Sequence, residues 1–240
     1  MFFDLGQTDD NYVGIDNTGL IAYFYVVIDY MKCDRMTYHH GNLRKSLLDR
    51  AAHVIAESGV EALSLRALAR DIGVSHAAPA RHFKDKKALL SALATEGNKR
   101  LTTAITAAAN AVGSDPVARY NAMGKAVIHF AIENPAYQQA THHPDVVQSE
   151  DESLALERRA YMTEVTKAAA AAQAAGWRPN ADITALTLFS SAAAIGTAFF
   201  VSNIDKSGFL DDKNITTLID QVIDLVVPPS TAALHAHQET

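Results

Sequence analysis

The sequence predicts an all-α fold, in which a small N-terminal three-helix module is joined by a long helix to a larger helical bundle. Three observations predict it. Apolar residues recur at three- and four-residue intervals along most of the chain. A glycine turn separates two short helical patterns within residues 64–90. Charge also divides the chain, because residues 36–100 hold 11 Lys+Arg against 6 Asp+Glu while residues 101–240 hold 8 against 15. A basic module on an acidic body suits local phosphate binding, whereas a net charge of −6 argues against a protein that coats nucleic acid.

At 240 residues with 48% hydrophobic and 20% charged side chains, the chain has material for a sizeable core. Cys33 is its single cysteine, which precludes an intramolecular disulfide and fits a cytoplasmic setting. Residues 1–35 stand apart: they hold 2 Lys+Arg against 6 Asp+Glu, and residues 20–28, LIAYFYVVI, form a nine-residue apolar run. A membrane-spanning helix needs about 20 such residues, and the acidic flank and lack of a small-residue cleavage site do not fit a signal peptide. The expectation is that residues 1–35 either precede the true start or form a dispensable extension, with an N-terminal docking strand as the alternative.

The first helix is expected over residues 40–58, with Leu43, Leu47, Ala51, Val54 and Ile55 on one face and Gly59 ending it. His39 and His40 lie beside Arg44 and Lys45 at its start and read as solvated. In the next helix Leu65, Leu68, Ala69 and Ile72 face inward, Arg66 and Arg70 point out, and Ser64 is the N-cap. Gly73 is placed for a left-handed C-cap, and Ser75 for capping a second short helix. A helix-turn-helix of this size sets the start of its second helix into the DNA major groove. His76 and Arg81 can donate hydrogen bonds, Ala77 and Ala78 are small enough to approach a thymine methyl, and Lys84, Lys86 and Lys87 follow near phosphate height. Turn chemistry alone fits a solvated basic hairpin equally well.

The longer spelling is more specific. YHHGNLRKSLL at residues 38–48 and GVEALSLRALARDIGVSHAAPARHFKDKKALL at residues 59–90 resemble the N-terminal domain of TetR-family transcriptional repressors, with GVS, RHF and the lysine three residues after Phe83 in register. The resemblance covers roughly residues 38–100, and Met36 begins MTYHHGNLR, where members of that family commonly start. It implies that Arg66 reaches a guanine, that His76, Ala77 and Ala78 face bases, and that Ser64, His82 and Lys86 hold phosphates, with Arg81 and Lys84 beside them. Ala80 departs from the family pattern, which usually has a backbone-contacting aromatic there, and so lacks the side chain for one contact per half-site. The implied partners are double-stranded DNA, a small-molecule effector of unknown identity and a second copy of the chain.

Asp85 can cap a helix running to about Asn110, with Leu89, Leu90, Leu93, Leu101 and Ile105 on one side. Further helices are expected over residues 117–133, 136–141 and 153–175, the last rich in alanine and ended by Gly176. Residues 183–204 carry no charge; dilution by serine and threonine, and the absence of a second such segment, favour a helix buried by its own domain and a partner subunit over a membrane span. Ile215, Leu218, Ile219, Val222, Ile223 and Val226 stripe the last helix, ended by Pro228 and Pro229. By resemblance the last two long helices form a four-helix dimer interface, in which Ala192, Ala193, Ala194, Gly196, Leu218 and Val222 allow close packing. The likeness is weaker in this half, since the Trp and His-Gly pair often found there are replaced by Ile195-Gly196 without tryptophan, so effector identity does not carry over.

The expected organisation is therefore an extension (1–35), the DNA-binding domain (36–84), a connecting helix (85–110), a ligand-binding and dimerisation domain (111–229) and a flexible tail (230–240). Phe130, Tyr137, Tyr161 and Trp177 are candidates to line an apolar effector pocket, though aromatics at helical spacing are commonly core. No Gly-rich phosphate loop, GxSxG elbow or HExxH is present, so no catalytic residue is assigned. His129, His142, His143, Asp145 and Glu133 would ligate a metal only if folded together, and neither metal nor cofactor is expected. The competing reading is a helical small-molecule or metal-binding protein whose basic hairpin is incidental.

Overall fold

The computed structural model describes residues 43–204 and 215–228, and every regular element among them is helical. Expectations for the extension, for His39 and His40, and for the tail after Ser230 fall outside these residues. Helix α1 (Leu43–Ser58) buries Leu47, Leu48, Ala51, Ala52 and Ile55, and a 3₁₀ turn at Val60–Ala62 leads to α2 (Leu65–Asp71). The end of α2 is tied back to α1 by the Arg50 guanidinium, whose Nε and Nη2 donate to Asp71 Oδ2 at 3.0 and 2.9 Å.

Gly73 closes α2 as its spacing predicts. The Val74 N–H donates to the Ala69 carbonyl at 2.9 Å and the Gly73 N–H to that of Arg70 at 3.1 Å, which together form a Schellman cap. Gly73 sits at φ 73°, a conformation that would cost a side chain about 1 kcal/mol or more.

The second helix of the motif departs from expectation. After Ser75 the chain makes turns and a 3₁₀ helix at Pro79–Arg81 rather than an α-helix. Pro79 is the reason, since it has no N–H to give the Ser75 carbonyl four residues back and its ring would crowd that oxygen. The Ser75 carbonyl instead accepts from Ala78 at 2.9 Å, and the Pro79 carbonyl accepts from both His82 and Phe83 at 2.9 Å.

Helix α3 (Lys86–Ala111) is capped by Asp85, which accepts from the Ala88 N–H at 2.8 Å. Then follow α4 (Pro116–Glu133), α5 (Pro135–His142), α6 (Pro144–Val147), α7 (Glu152–Ala174), α8 (Ile183–Ile204) and α9 (Ile215–Val226). Asp115 and Asp151 cap α4 and α7 as Asp85 caps α3. The one-turn α6 has no counterpart among the expected helices; Pro144 starts it, and Val146 anchors it by full burial.

Helix α3 threads two apolar cores. Leu89, Leu90, Leu93 and Ala94 belong to the core of the N-terminal module, Ile105 and Ala109 to that of the bundle. The module's core also takes in Ala136, Tyr137 and Ala140 of α5, Val146 of α6 and Leu154 of α7, because three short helices cannot enclose a core alone. Helix α5 packs on both α1 and α3. In the bundle α4 packs against α7, α8 and α9.

Candidate functional site

The basic face is open. Ser64, Arg66, His76, Ala77, Arg81, His82 and Lys84 are exposed, and Ala78 is half-buried. The Ser64 hydroxyl makes no cap bond to α2, although the residue occupies the N-cap position. Lys86 is partly held, its Nζ lying 3.5 Å from a carboxylate oxygen of Glu61. Beneath this surface Phe83 is buried, with the Arg44 guanidinium 5.4 Å from its ring centroid. That anchor sets the height of Arg81, His82 and Lys84 above the module's core. Ala80 is exposed, so the missing aromatic leaves no gap in the packing.

Behind the module, helices α3, α4, α5, α7 and α8 surround a cavity of about 90 Å³. Phe130, Tyr137 and Tyr161 line it, together with Gly97 and Asn98 of α3 and Ile195 and Ala198 of α8. Trp177 does not line it. The turn after α7 is again a Schellman cap, with the Trp177 N–H donating to Ala172 at 3.0 Å and the Gly176 N–H to Gln173 at 3.0 Å. This turn folds Trp177 back onto the core, where its ring lies 5.3 Å from that of Tyr120 and its buried Nε1 meets no partner among the described residues.

Sequence reasoning passed over Gly97. A Cβ there would lie 2.9 Å from the Tyr137 Cβ, so the glycine is what lets α5 press against α3. An isolated glycine inside a helical pattern was the available signal. Tyr137 is held on its other side by the Arg100 guanidinium, 5.0 Å from its ring centroid. It therefore lines the cavity while also belonging to the core of the N-terminal module.

A second, smaller cavity of about 30 Å³ lies between α4, α7, α8 and α9. Val127 and Tyr161 line both cavities. In the smaller one the Tyr120 hydroxyl hydrogen-bonds to Ser190 Oγ. Burial pushes the Tyr161 hydroxyl up to about 12, with the neighbouring Tyr120 adding to the effect. Burial also raises Tyr120, and its bond to Ser190 partly offsets this.

The histidines named as metal candidates do not assemble. His142 Nδ1 lies 2.9 Å from the Gln138 carbonyl and His143 Nδ1 accepts from the Asp145 N–H at the start of α6. Among the described residues no three His, Cys, Asp or Glu side chains gather as a metal site.

The last two helices present an apolar face. Leu188 is 70% and Leu225 79% exposed, with Phe189 and Phe200 also open. Ala192 and Gly196 lie on this side, Ala193 packs against the bundle core, and Leu218 and Val222 are half-buried. By length and composition α8 is apolar enough to cross a membrane, and 28% of its span over Ile183–Ser202 is buried within the chain. Helix α9 is pinned to α4 by Lys125 Nζ, 3.0 Å from Asp224, and by Asn121 Nδ2, which donates to Asp224 and to the Val227 carbonyl.

Comparison with known proteins gives this geometry a family. Residues 47–93 match the family model for bacterial regulatory proteins of the tetR family. Over 63 residues, 26% of the chain, the sequence is 40% identical to the HTH-type transcriptional repressor Rv1474c of Mycobacterium tuberculosis (strain ATCC 25618 / H37Rv), and the match spans 34% of that repressor's length. A protein of unknown function from Rhodococcus sp. RHA1 is similar over 80% of this chain and 96% of its own, at 34% identity and a TM-score of 0.66. AibR, solved with isovaleryl coenzyme A and operator DNA, shares the fold at 19% identity and a TM-score of 0.59, over 78% of this chain and 98% of its own. With the matched residues carrying the open basic face, residues 47–93 form a domain of the tetR family of bacterial regulatory proteins.

Proposed function

We propose that the chain is a homodimeric transcriptional repressor, acting in the cytoplasm, that binds a palindromic operator and is released from it by a small-molecule effector. The observation that carries the reading is the shared position of Tyr137, which lines the larger cavity and packs in the core beneath the basic face. A ligand that displaces this ring moves α5 against α3 at Gly97, and α3 starts at the DNA-binding module. Ligand and DNA then compete for two settings of one helix, and each shifts the population by its differential affinity alone. The same fold holds an acyl-coenzyme A and operator DNA in AibR. The apolar face of α8 and α9 supports an isologous dimer, whose two-fold axis a palindrome would mirror.

On this reading Arg66 and His76 donate to base edges, Ala77 and Ala78 touch bases, and Ser64, Arg81, His82, Lys84 and Lys86 hold phosphates. Mobility shift on a palindrome beside the protein's own gene, at several salt concentrations, tests it. Two protomers per site and affinity that falls steeply with salt are expected. Binding of a single protomer, or equal affinity for scrambled DNA, would sink it.

A further inference from the structure

Tyr161 is 91% buried, its exposure being 9%, yet among the described residues its hydroxyl has no hydrogen-bond partner. Its ring, with Val127, forms the wall common to both cavities. The hydroxyl oxygen is not sealed from water, although most of the residue is buried, and a ligand in either cavity that accepts its proton competes with no protein acceptor there. With an ordinary value raised to about 12 by burial, Tyr161 stays a neutral donor at physiological pH.

The walls also exclude charge. Among the described residues lining the two cavities none is Asp, Glu, Lys or Arg, and the polar groups are amides, hydroxyls and the His142 ring. His142 is exposed, and its Nδ1 is already engaged with Gln138. An ionic ligand would surrender its hydration with no counter-charge to meet it. At roughly 10–15 Å³ per water-sized group, volumes of about 90 and 30 Å³ together admit about ten non-hydrogen atoms.

Resting on the ligand-responsive reading above, we propose that the cavities on either side of Tyr161 and Val127 are two halves of one site. Its ligand is uncharged and elongated, with about ten non-hydrogen atoms and an oxygen that accepts from the Tyr161 hydroxyl. Occupying both halves requires the Tyr161 ring to swing, and the same ligand lies against Tyr137 at the larger end.

Trp177 is the chain's single tryptophan and packs on Tyr120, which lines the smaller half, so its fluorescence reports occupancy there. The full-length protein is titrated at neutral pH with octan-1-ol, octanoate and octylammonium, by Trp177 fluorescence and calorimetry. Octan-1-ol should bind saturably and at least about tenfold more tightly than either ion. Tyr161→Phe, which keeps the ring, should weaken octan-1-ol by about three- to tenfold. Val127→Trp should abolish binding while circular dichroism confirms the fold; where that variant misfolds, Tyr161→Phe carries the test. Equal or tighter binding of octanoate or octylammonium overturns the proposal, as does unchanged affinity in Tyr161→Phe, or no binding of any of the three. Operator affinity is measured beside these titrations. Octan-1-ol that binds, responds to Tyr161→Phe and leaves operator affinity unchanged refutes the effector reading and keeps the site.

Discussion

Two side chains, Arg66 and Tyr161, are held by their surroundings in different ways. Arg66 projects from the exposed side of α2, whose opposite side buries Leu68 and Ala69, so its orientation follows from the packing of a seven-residue helix. Arg66→Ala should relax specificity at one base pair per half-site by roughly 1–3 kcal/mol, because a guanidinium pairs bidentately with guanine. Competition binding against point-substituted operators checks it, and equal loss on every sequence would make Arg66 a phosphate contact instead. Tyr161 acts through its proton. Its folded value of about 12 lies above the unfolded 10.0, so the unfolded chain deprotonates first, and this contribution is intact below pH 10 and lost as pH rises through 12. Thermal melts of Tyr161→Phe should show a shallower decline than the parent between pH 10 and 12; an identical alkaline limb would mean another group controls it.

At the scale of elements, contacts between helices decide more than the helices themselves. Alanine is favoured over glycine in a helix by about 1 kcal/mol, so propensity alone would make Gly97→Ala stabilising. Its Cβ would nevertheless lie 2.9 Å from the Cβ of Tyr137, and the overpacking should win, lowering stability by roughly 1–3 kcal/mol in denaturant melts. A stabilised variant would show that α5 gives way freely, and with it that Tyr137 is a poor lever. Helices α8 and α9 are tested through their open leucines. Leu188→Glu with Leu225→Glu touches no buried contact of the protomer, so the monomer's stability should change by about 0.5 kcal/mol or less at each site. Sedimentation should then report a monomer that has lost operator affinity. A double variant that still sediments as a dimer would move the interface elsewhere.

For the whole molecule, two modules on a two-fold dimer reach successive major grooves only when their recognition segments lie about 34–36 Å apart, or a multiple of it. Tilting α3 changes that separation, because the helix runs from the module's core into the bundle's. Thermodynamic linkage makes the coupling reciprocal: whatever factor an effector takes from operator affinity, operator DNA must take from effector affinity. Parallel titrations, DNA with and without effector and effector with and without DNA, should return the same factor. Unequal factors would mean that the two ligands meet different oligomeric states.

The sequence by itself determined the all-α class, the helix boundaries marked by Asp85, Asp115-Pro116 and Gly176, and the basic face from Ser64 to Lys86. These are local matters, settled by caps, turn chemistry and periodicity within a few residues. Even there one local signal was passed over: Pro79 converts the second helix of the motif into a 3₁₀ turn. Phe130, Tyr137 and Tyr161 were legible as cavity candidates because they are aromatics at helical spacing in the body of the chain. Trp177 looked the same by spacing, and only the Schellman turn at Gly176, which folds it onto Tyr120, separates it from them. The tertiary structure alone decided that Gly97 meets Tyr137, that Val127 and Tyr161 line both cavities, and that α5 completes the core beneath the basic face. Each of these joins residues about 34 or more positions apart, and no local periodicity specifies which helix a given face will meet.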